Sequence, residues 1–204
     1  MIFLEISRIS FDPIIAKFES REEWSAAARF VYDKWIHDPT NLCALVAAGT
    51  QMWYTLLIID EAKSNPFLQT PSVELPRSDD IMVWLMEVTQ YGLDHFSACA
   101  CFNAFFGYMI KVMPYFFINY HGDYNGWYDK GIEMMKSAYQ LAPQDLLAKA
   151  MYYEAMEDDT EYQNVCGQIW RALTPEEWGN SLVQQYFFRI LNGDQFYPDA
   201  YELP

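Results

Sequence analysis

Three histidines and four cysteines are the side chains in this 204-residue chain best suited to proton transfer, nucleophilic attack or metal binding. Cys99 and Cys101 stand one residue closer than a Cys-x-x-Cys clamp, and no second pair follows. No His-Glu-x-x-His or Glu-x-x-His occurs, so the ligand sets of zinc hydrolases and di-iron bundles are missing. No Gly-rich loop runs into Lys-Ser or Lys-Thr, which removes the nucleotide-binding signature. Arg29 precedes His37 by eight residues, a spacing that turns the two away from a shared helix face. Asp94 beside His95 and Asp123 near His121 read as a helix cap and a loop residue rather than acid/base pairs. A Ser or Cys nucleophile meeting a His only in the fold stays open. The expectation is no enzyme, no catalytic residues, no metal and no cofactor.

With catalysis unsupported, charge becomes the leading clue. Twenty-eight acids face 13 Lys and Arg, a formal charge of −15. Such a field repels phosphate backbones and anionic membrane surfaces, so it disfavours direct nucleic-acid binding and suits a basic protein partner. Residues 121–204 hold as many acids (14) as residues 1–120, with fewer bases (5 against 8). The densest run is Glu154, Glu157, Asp158, Asp159 and Glu161, without an intervening base. It reads either as a solvated helix end or as a landing site for a cationic partner. Upstream, Tyr120 to Tyr128 forms an aromatic loop framed by Gly122 and Gly126. There Tyr124 and Trp127 are candidate anchors beside Asp123 and Asp129. Trp127 and Tyr128 also suit a purely structural seal between helices.

The elements that must position these residues read as helices throughout. Asp12-Pro13 caps a short first helix, and Ser20-x-x-Glu23 has capping-box spacing ahead of a helix to His37. Thr40 or Asn41 caps a third helix to about Ser64. The Pro-rich stretch 65–77 is the one long irregular connection and a possible sub-boundary within a single domain of residues 1–204. Ser78 with Asp79 and Asp80 opens a helix that Gly92 ends, and Asp94 caps another to about Val112. Pro114 begins a short helix ending near His121, and further helices occupy about 126–142, 144–157 and 160–173. Thr174-Pro175 opens the last, which Gly193 closes before an aromatic, acidic tail. Residues 1–11 fit a helix or an edge strand. About nine helices in antiparallel pairs give an all-α protein.

Leu42 to Ile59 carries no charge over 18 residues and is long enough to cross a membrane. Its central Thr50, Gln51 and Thr55 and the overall mean hydropathy of −0.12 favour a buried core helix. Cys43, Cys99, Cys101 and Cys166 sit in apolar stretches, and the N-terminal residues lack the basic opening of a signal peptide. Both point to reduced thiols and a cytoplasmic protein.

Residues 126–143 resemble the second helix of a tetratricopeptide repeat. The residues that carry the likeness are Gly126, Tyr128, Gly131, Met135, Ala138 and Pro143. Thirty-four residues on, Tyr162, Val165, Ile169 and Ala172 echo it, while Tyr153 and Glu177 depart from the pattern. For the helix before, Tyr115 and Ile118 take the large positions and Asn119 replaces the family's Gly. The resemblance, over about 115–177, implies a curved helical scaffold with a binding face and no catalytic residues.

In size and composition the chain is also similar to immunity proteins of contact-dependent growth-inhibition systems. That likeness implies stoichiometric neutralisation of a basic toxin domain, such as a nuclease. The partner-binding candidates are Asp123, Tyr124, Trp127, Asp129, Glu154, Glu157, Asp158, Asp159 and Glu161. The alternative is a helical-repeat adaptor or chaperone that cradles a peptide segment.

Overall fold

A computed structural model describes residues 12–64, 78–118, 123–172 and 180–191. Nine α-helices and one 3-10 turn account for nearly all of them, with no strand among the described residues. The helices are α1 (Pro13–Glu19), α2 (Trp24–His37), α3 (Leu42–Ser64), α4 (Ser78–His95), α5 (Ala100–Val112), α6 (Tyr124–Leu141), α7 (Leu146–Ala155), α8 (Asp159–Ala172) and α9 (Leu182–Leu191). The 3-10 turn, Pro114–Phe117, lies between α5 and α6. The all-α reading therefore stands. The expectations for residues 1–11, the 65–77 connection, His121, the 174–177 cap, Gly193 and the tail fall outside the described residues.

The centre of the fold is α5. Every residue from Cys101 to Ile110 is buried, so this helix is surrounded on all sides. Two of its neighbours receive it through glycines. A methyl group on Gly49 of α3 would collide with the Phe106 ring, and one on Gly92 of α4 with the Phe102 ring. Each absent side chain is the socket for a phenyl group, and burying each phenyl contributes about 2–3 kcal/mol.

The contact between α5 and α6 is closer still, backbone to backbone. A Cβ on Gly131 would lie 2.6 Å from Lys111 N and 2.7 Å from Gly107 O. One on Gly107 would lie 2.8 Å from Met135 Cγ. As α5 advances from 107 to 111, α6 retreats from 135 to 131, so the two are antiparallel. Small residues at a crossing allow this approach, and large ones fill the flanking grooves.

Local chemistry explains most boundaries and corrects some. Asp12 accepts from Ile14 N at 3.1 Å, with Pro13 in the first turn. Asn41 accepts from Ala44 N and caps α3. Ser20 does not form the expected capping box. Its Oγ donates to Lys17 O, because the closing turn of α1 has captured it, and Glu23 begins α2 without a side-chain cap. Gly92 lies inside α4 rather than ending it, since its role is to admit Phe102. Asp94 likewise belongs to α4 and accepts from Gln90. The start of α5 is instead held by Asn103, whose Nδ2 donates to the Ser97 and Cys99 carbonyls.

The span Leu42–Glu61 meets the length and hydropathy of a membrane helix, yet 61% of it is buried in the protein. It packs against α2, α4, α5 and α9. Its buried hydroxyls are satisfied within the helix, Thr50 donating to Val46 O and Thr55 to Gln51 O. This is a core helix.

The C-terminal α9 returns to the N-terminal half. Phe187 packs against Trp53, Phe105 and Tyr108, and Tyr162 donates to Ile190 O at 2.6 Å. At its start, the buried Glu19 of α1 accepts from Leu182 N at 2.6 Å and Val183 N at 3.4 Å. A carboxylate suits the positive end of a helix. Burial nevertheless raises the Glu19 carboxyl above its ordinary 4.5, opposed by those two N–H bonds and by Gln51. The folded protein therefore holds this proton more tightly than the unfolded chain does.

Gly131→Ala should destabilise the protein by about 1–3 kcal/mol, because its methyl meets backbone that cannot yield. Gly167→Ala in α8, where nothing lies within 4 Å, should stabilise it by about 0.5–1 kcal/mol through helix propensity alone. Denaturant melts of both variants check the pair, and equal signs would contradict the packing account. For Glu19 the sign follows from the raised carboxyl: this group's contribution to stability is full below pH 4.5 and declines as pH rises towards the folded-state value. Glu19→Gln should remove that decline, which urea melts from pH 4 to pH 7 will register.

Candidate functional site

Two short turns bring the candidate residues to one end of the molecule. Asp145 caps α7 by accepting from Ala148 N, and the Ala142–Asp145 connection folds α7 back antiparallel to α6. Tyr139 of α6 stacks on Tyr152 of α7, with ring centroids 4.6 Å apart. The three-residue turn Met156–Asp158 then reverses the chain into α8. The start of α6, the end of α7 and the start of α8 thus share the end at which α5 finishes. Lys111, in the last turn of α5, ties them together: its Nζ donates to Glu154 O at 3.1 Å and Oε1 at 2.9 Å.

That contact separates Glu154 from the other acids. Both partners are largely buried, and Glu154 Oε2 is buried without a hydrogen bond. Glu154 therefore anchors α7 to α5 and is not part of the open surface. Glu157, Asp158 and Asp159 are exposed, and Glu161 is half-buried. Asp158 also caps α8 by accepting from Glu161 N at 3.1 Å. Glu157 occupies the left-handed backbone region (φ 57°). There Asp158 N–H reaches Tyr153 O and Glu157 N–H reaches Glu154 O, a helix closure that usually takes glycine. Glu22, after α1, adopts the same conformation at φ 59°.

At the start of α6, Asp123 is the N-cap and accepts from Asn125 N at 3.0 Å. Asp129 and Tyr124 are exposed, Tyr124 by 50%. Trp127 is half-buried, its ring against Phe117 at 5.8 Å, so it acts both as a seal and as a surface. With Leu93, Asp123, Gly126 and Lys130 it lines an open recess of about 330 Å³.

Three residues missed by the sequence reading join this end. Tyr115, assigned a packing position in the repeat pattern, is exposed and donates to Asp60 Oδ2 at 2.9 Å. Its phenol is pushed up to about 12, first by partial burial and then by that carboxylate, with Tyr124 adding to the effect. Met156 is 48% exposed beside Glu157. No sequence signal distinguishes Asp60 at the far end of an apolar helix. Tyr115 was hidden by pairing α6 with residues 115–119, whereas its close-packed partner is α5 through Gly107.

The repeat echo is uneven in space. Val165 and Ile169 are buried like Gly131 and Met135, but Ala172 is exposed where Ala138 is buried. Val165 also cannot provide the backbone approach that Gly131 allows.

The remaining chemical candidates have structural partners. Arg29 pairs with the Asp33 carboxylate at 2.8 Å, while His37 Nδ1 lies 2.6 Å from Asp33 O, so they share a neighbour and not a substrate position. His95 lies against Tyr91. Burial pushes the Cys166 thiol up to about 11, which keeps it protonated at neutral pH. Among the described residues no group of three His, Cys, Asp or Glu side chains is placed to hold a metal ion.

Compared with protein-family models, with curated proteins and with solved structures, the chain shows no significant match.

The left-handed Glu157 yields a direct test. Glu157→Gly should raise stability by about 1 kcal/mol by removing the Cβ conflict, and Glu22→Gly should do the same. Denaturation midpoints will decide; a loss of stability at Glu157 would mean its side chain makes contacts that hold the turn.

Proposed function

We propose that this is an immunity protein, a cytoplasmic inhibitor that binds a basic toxin domain in equal stoichiometry, as in contact-dependent growth-inhibition systems. The acidic end is the surface that meets the toxin. One observation carries the reading: exposed carboxylates converge there with exposed aromatic and apolar side chains. Asp60, Asp123, Asp129, Glu157, Asp158 and Asp159 are exposed at the same end as the exposed Tyr115, Tyr124 and Met156, with Tyr115 bonded to Asp60. Carboxylates alone describe a solvated surface. Tyrosines and a methionine among them supply the desolvated contacts that hold a partner once charge has steered it in.

Several features support this assignment. Of these acids and Glu154, only Glu154 forms an ion pair among the described residues, so the others keep their charge for an incoming cation. The tight α5–α6 crossing gives the surface a rigid base, which reduces the entropy lost on binding. A toxin that cuts nucleic acid needs a positive surface for its substrate, and an acidic inhibitor covers that surface while gaining a fast, salt-sensitive association.

The experiment is affinity capture from the native cell lysate, followed by kinetics on the recovered protein. A basic folded domain should bind one to one, with an association rate that falls as salt rises. Glu157→Lys with Asp159→Lys should weaken it by about tenfold or more, while lowering stability by only about 0.3–1 kcal/mol for the cation now in the first turn of α8. These two positions are chosen because Asp158 is needed as a cap and Glu154 as an anchor. Recovery of unrelated proteins sharing one short peptide, with little salt dependence, would replace this reading with a helical-repeat adaptor.

A further inference from the structure

We infer that the recess beside Trp127 is a socket for one arginine side chain, and, resting on the inhibitor reading above, that the toxin supplies it. The recess lies between Leu93, near the end of α4, and the first two turns of α6. Asp123, Gly126, Trp127 and Lys130 are spaced i, i+3, i+4 and i+7, so they form one stripe and the recess is a groove along the helix. Its walls are the Leu93 side chain and the part of the Trp127 indole not covered by Phe117. Gly126 opens the space between Trp127 and the cap. A Cβ there would have Asp123 Oδ2 as its nearest neighbour at 3.1 Å. Asp123 Oδ1 is engaged by Asn125 N–H, whereas Oδ2 has no hydrogen bond among the described residues.

Charge and shape together select the occupant. A carboxylate entering the groove would be drawn by Lys130, but Asp123 already occupies the positive end of α6 and repels it, as does the surrounding acid excess. An aliphatic side chain would cover the indole and leave Oδ2 unanswered. A lysine would answer Oδ2 through a compact, strongly hydrated ammonium that does not lie flat on a ring. The arginine guanidinium does both, stacking on the indole and donating to the carboxylate through its planar fork. Lys130 sets the direction. It stands seven residues beyond Asp123, about 10 Å along the helix, so it repels a cationic head from the far end and directs it to the cap.

The test uses N-acetyl-arginine amide as probe and N-acetyl-norleucine amide as its uncharged counterpart. Each is titrated into the whole protein while the Trp127 indole Nε1–H resonance, identified by Trp127→Phe, is followed. Saturable shifts with the arginine probe, about fivefold or more tighter than with norleucine, are expected. Asp123→Asn, which retains a side chain able to cap α6, should weaken arginine binding by about fivefold or more without affecting norleucine, and Lys130→Gln should preserve the preference. Equal binding of both probes, no shift with arginine, or an Asp123→Asn protein that binds arginine as tightly as the parent would overturn the socket. The two readings separate cleanly. A protein that captures a basic domain but ignores the arginine probe keeps the inhibitor and ends the socket. One that binds the probe and captures no basic domain keeps the socket and ends the inhibitor.

Discussion

The burial of α5 on every side sets the terms for the rest of the molecule. A helix with ten consecutive buried residues needs neighbours on all faces, and the side chains between axes must fit within roughly 8–10 Å. Here α3, α4 and α6 meet that requirement by giving up side chains at Gly49, Gly92 and Gly131. The first two make room for phenyl rings, and the third lets two backbones meet. Because a backbone contact has no rotamer to adjust, it fixes the height of α6 against α5. That height decides where the start of α6 and the end of α7 emerge.

The acidic residues divide by consequence rather than by charge. Glu154 lies in the protein and holds α7 to Lys111. Asp123, Asp145 and Asp158 cap helices. Glu19 does so from a distance, joining α1 to the first turn of α9. Of the acidic candidates, Asp129, Glu157 and Asp159 are left exposed, and with Asp60 they belong to the open end. A carboxylate at a helix start accepts N–H bonds and still presents a negative charge to solvent. Caps at Asp123 and Asp158 thus stabilise the fold and contribute to the surface at once. Among the described residues the division also limits self-repulsion: structural acids answer helix termini or basic side chains, and the exposed ones face water, where screening is strongest.

Much was legible locally. Period-3.6 patterning, Asp12-Pro13, Asn41 and Ser78 with its acids marked helices that the structure contains, and both turns flanking α7 fall where Pro143 and the acidic run suggested. The misreadings share a cause. Ser20, Gly92 and Asp94 are ordinary punctuation residues, yet each answers a competing demand: Ser20 the closing turn of α1, Gly92 the Phe102 ring of another helix, and Asp94 the continuation of α4. The repeat likeness misled similarly. It identified the close-packing glycine of α6 correctly but sought its partner in the nearest upstream residues, when Gly107 lay 24 residues before it. Tyr115 was thereby placed inside, and its exposure beside Tyr124 went unseen.

The amino-acid sequence alone determined helical class, most caps, the sign of the electrostatic field and the identity of the acidic and aromatic candidates, because these depend on residue type and spacing within a few turns. Tertiary structure decided which acids are free, which neighbours join them and that two separate stretches occupy one end. Those outcomes depend on which helices touch and at what height. That height is set by pairs such as Gly107 with Gly131 and Lys111 with Glu154, whose partners are distant in the chain and carry no local mark of one another.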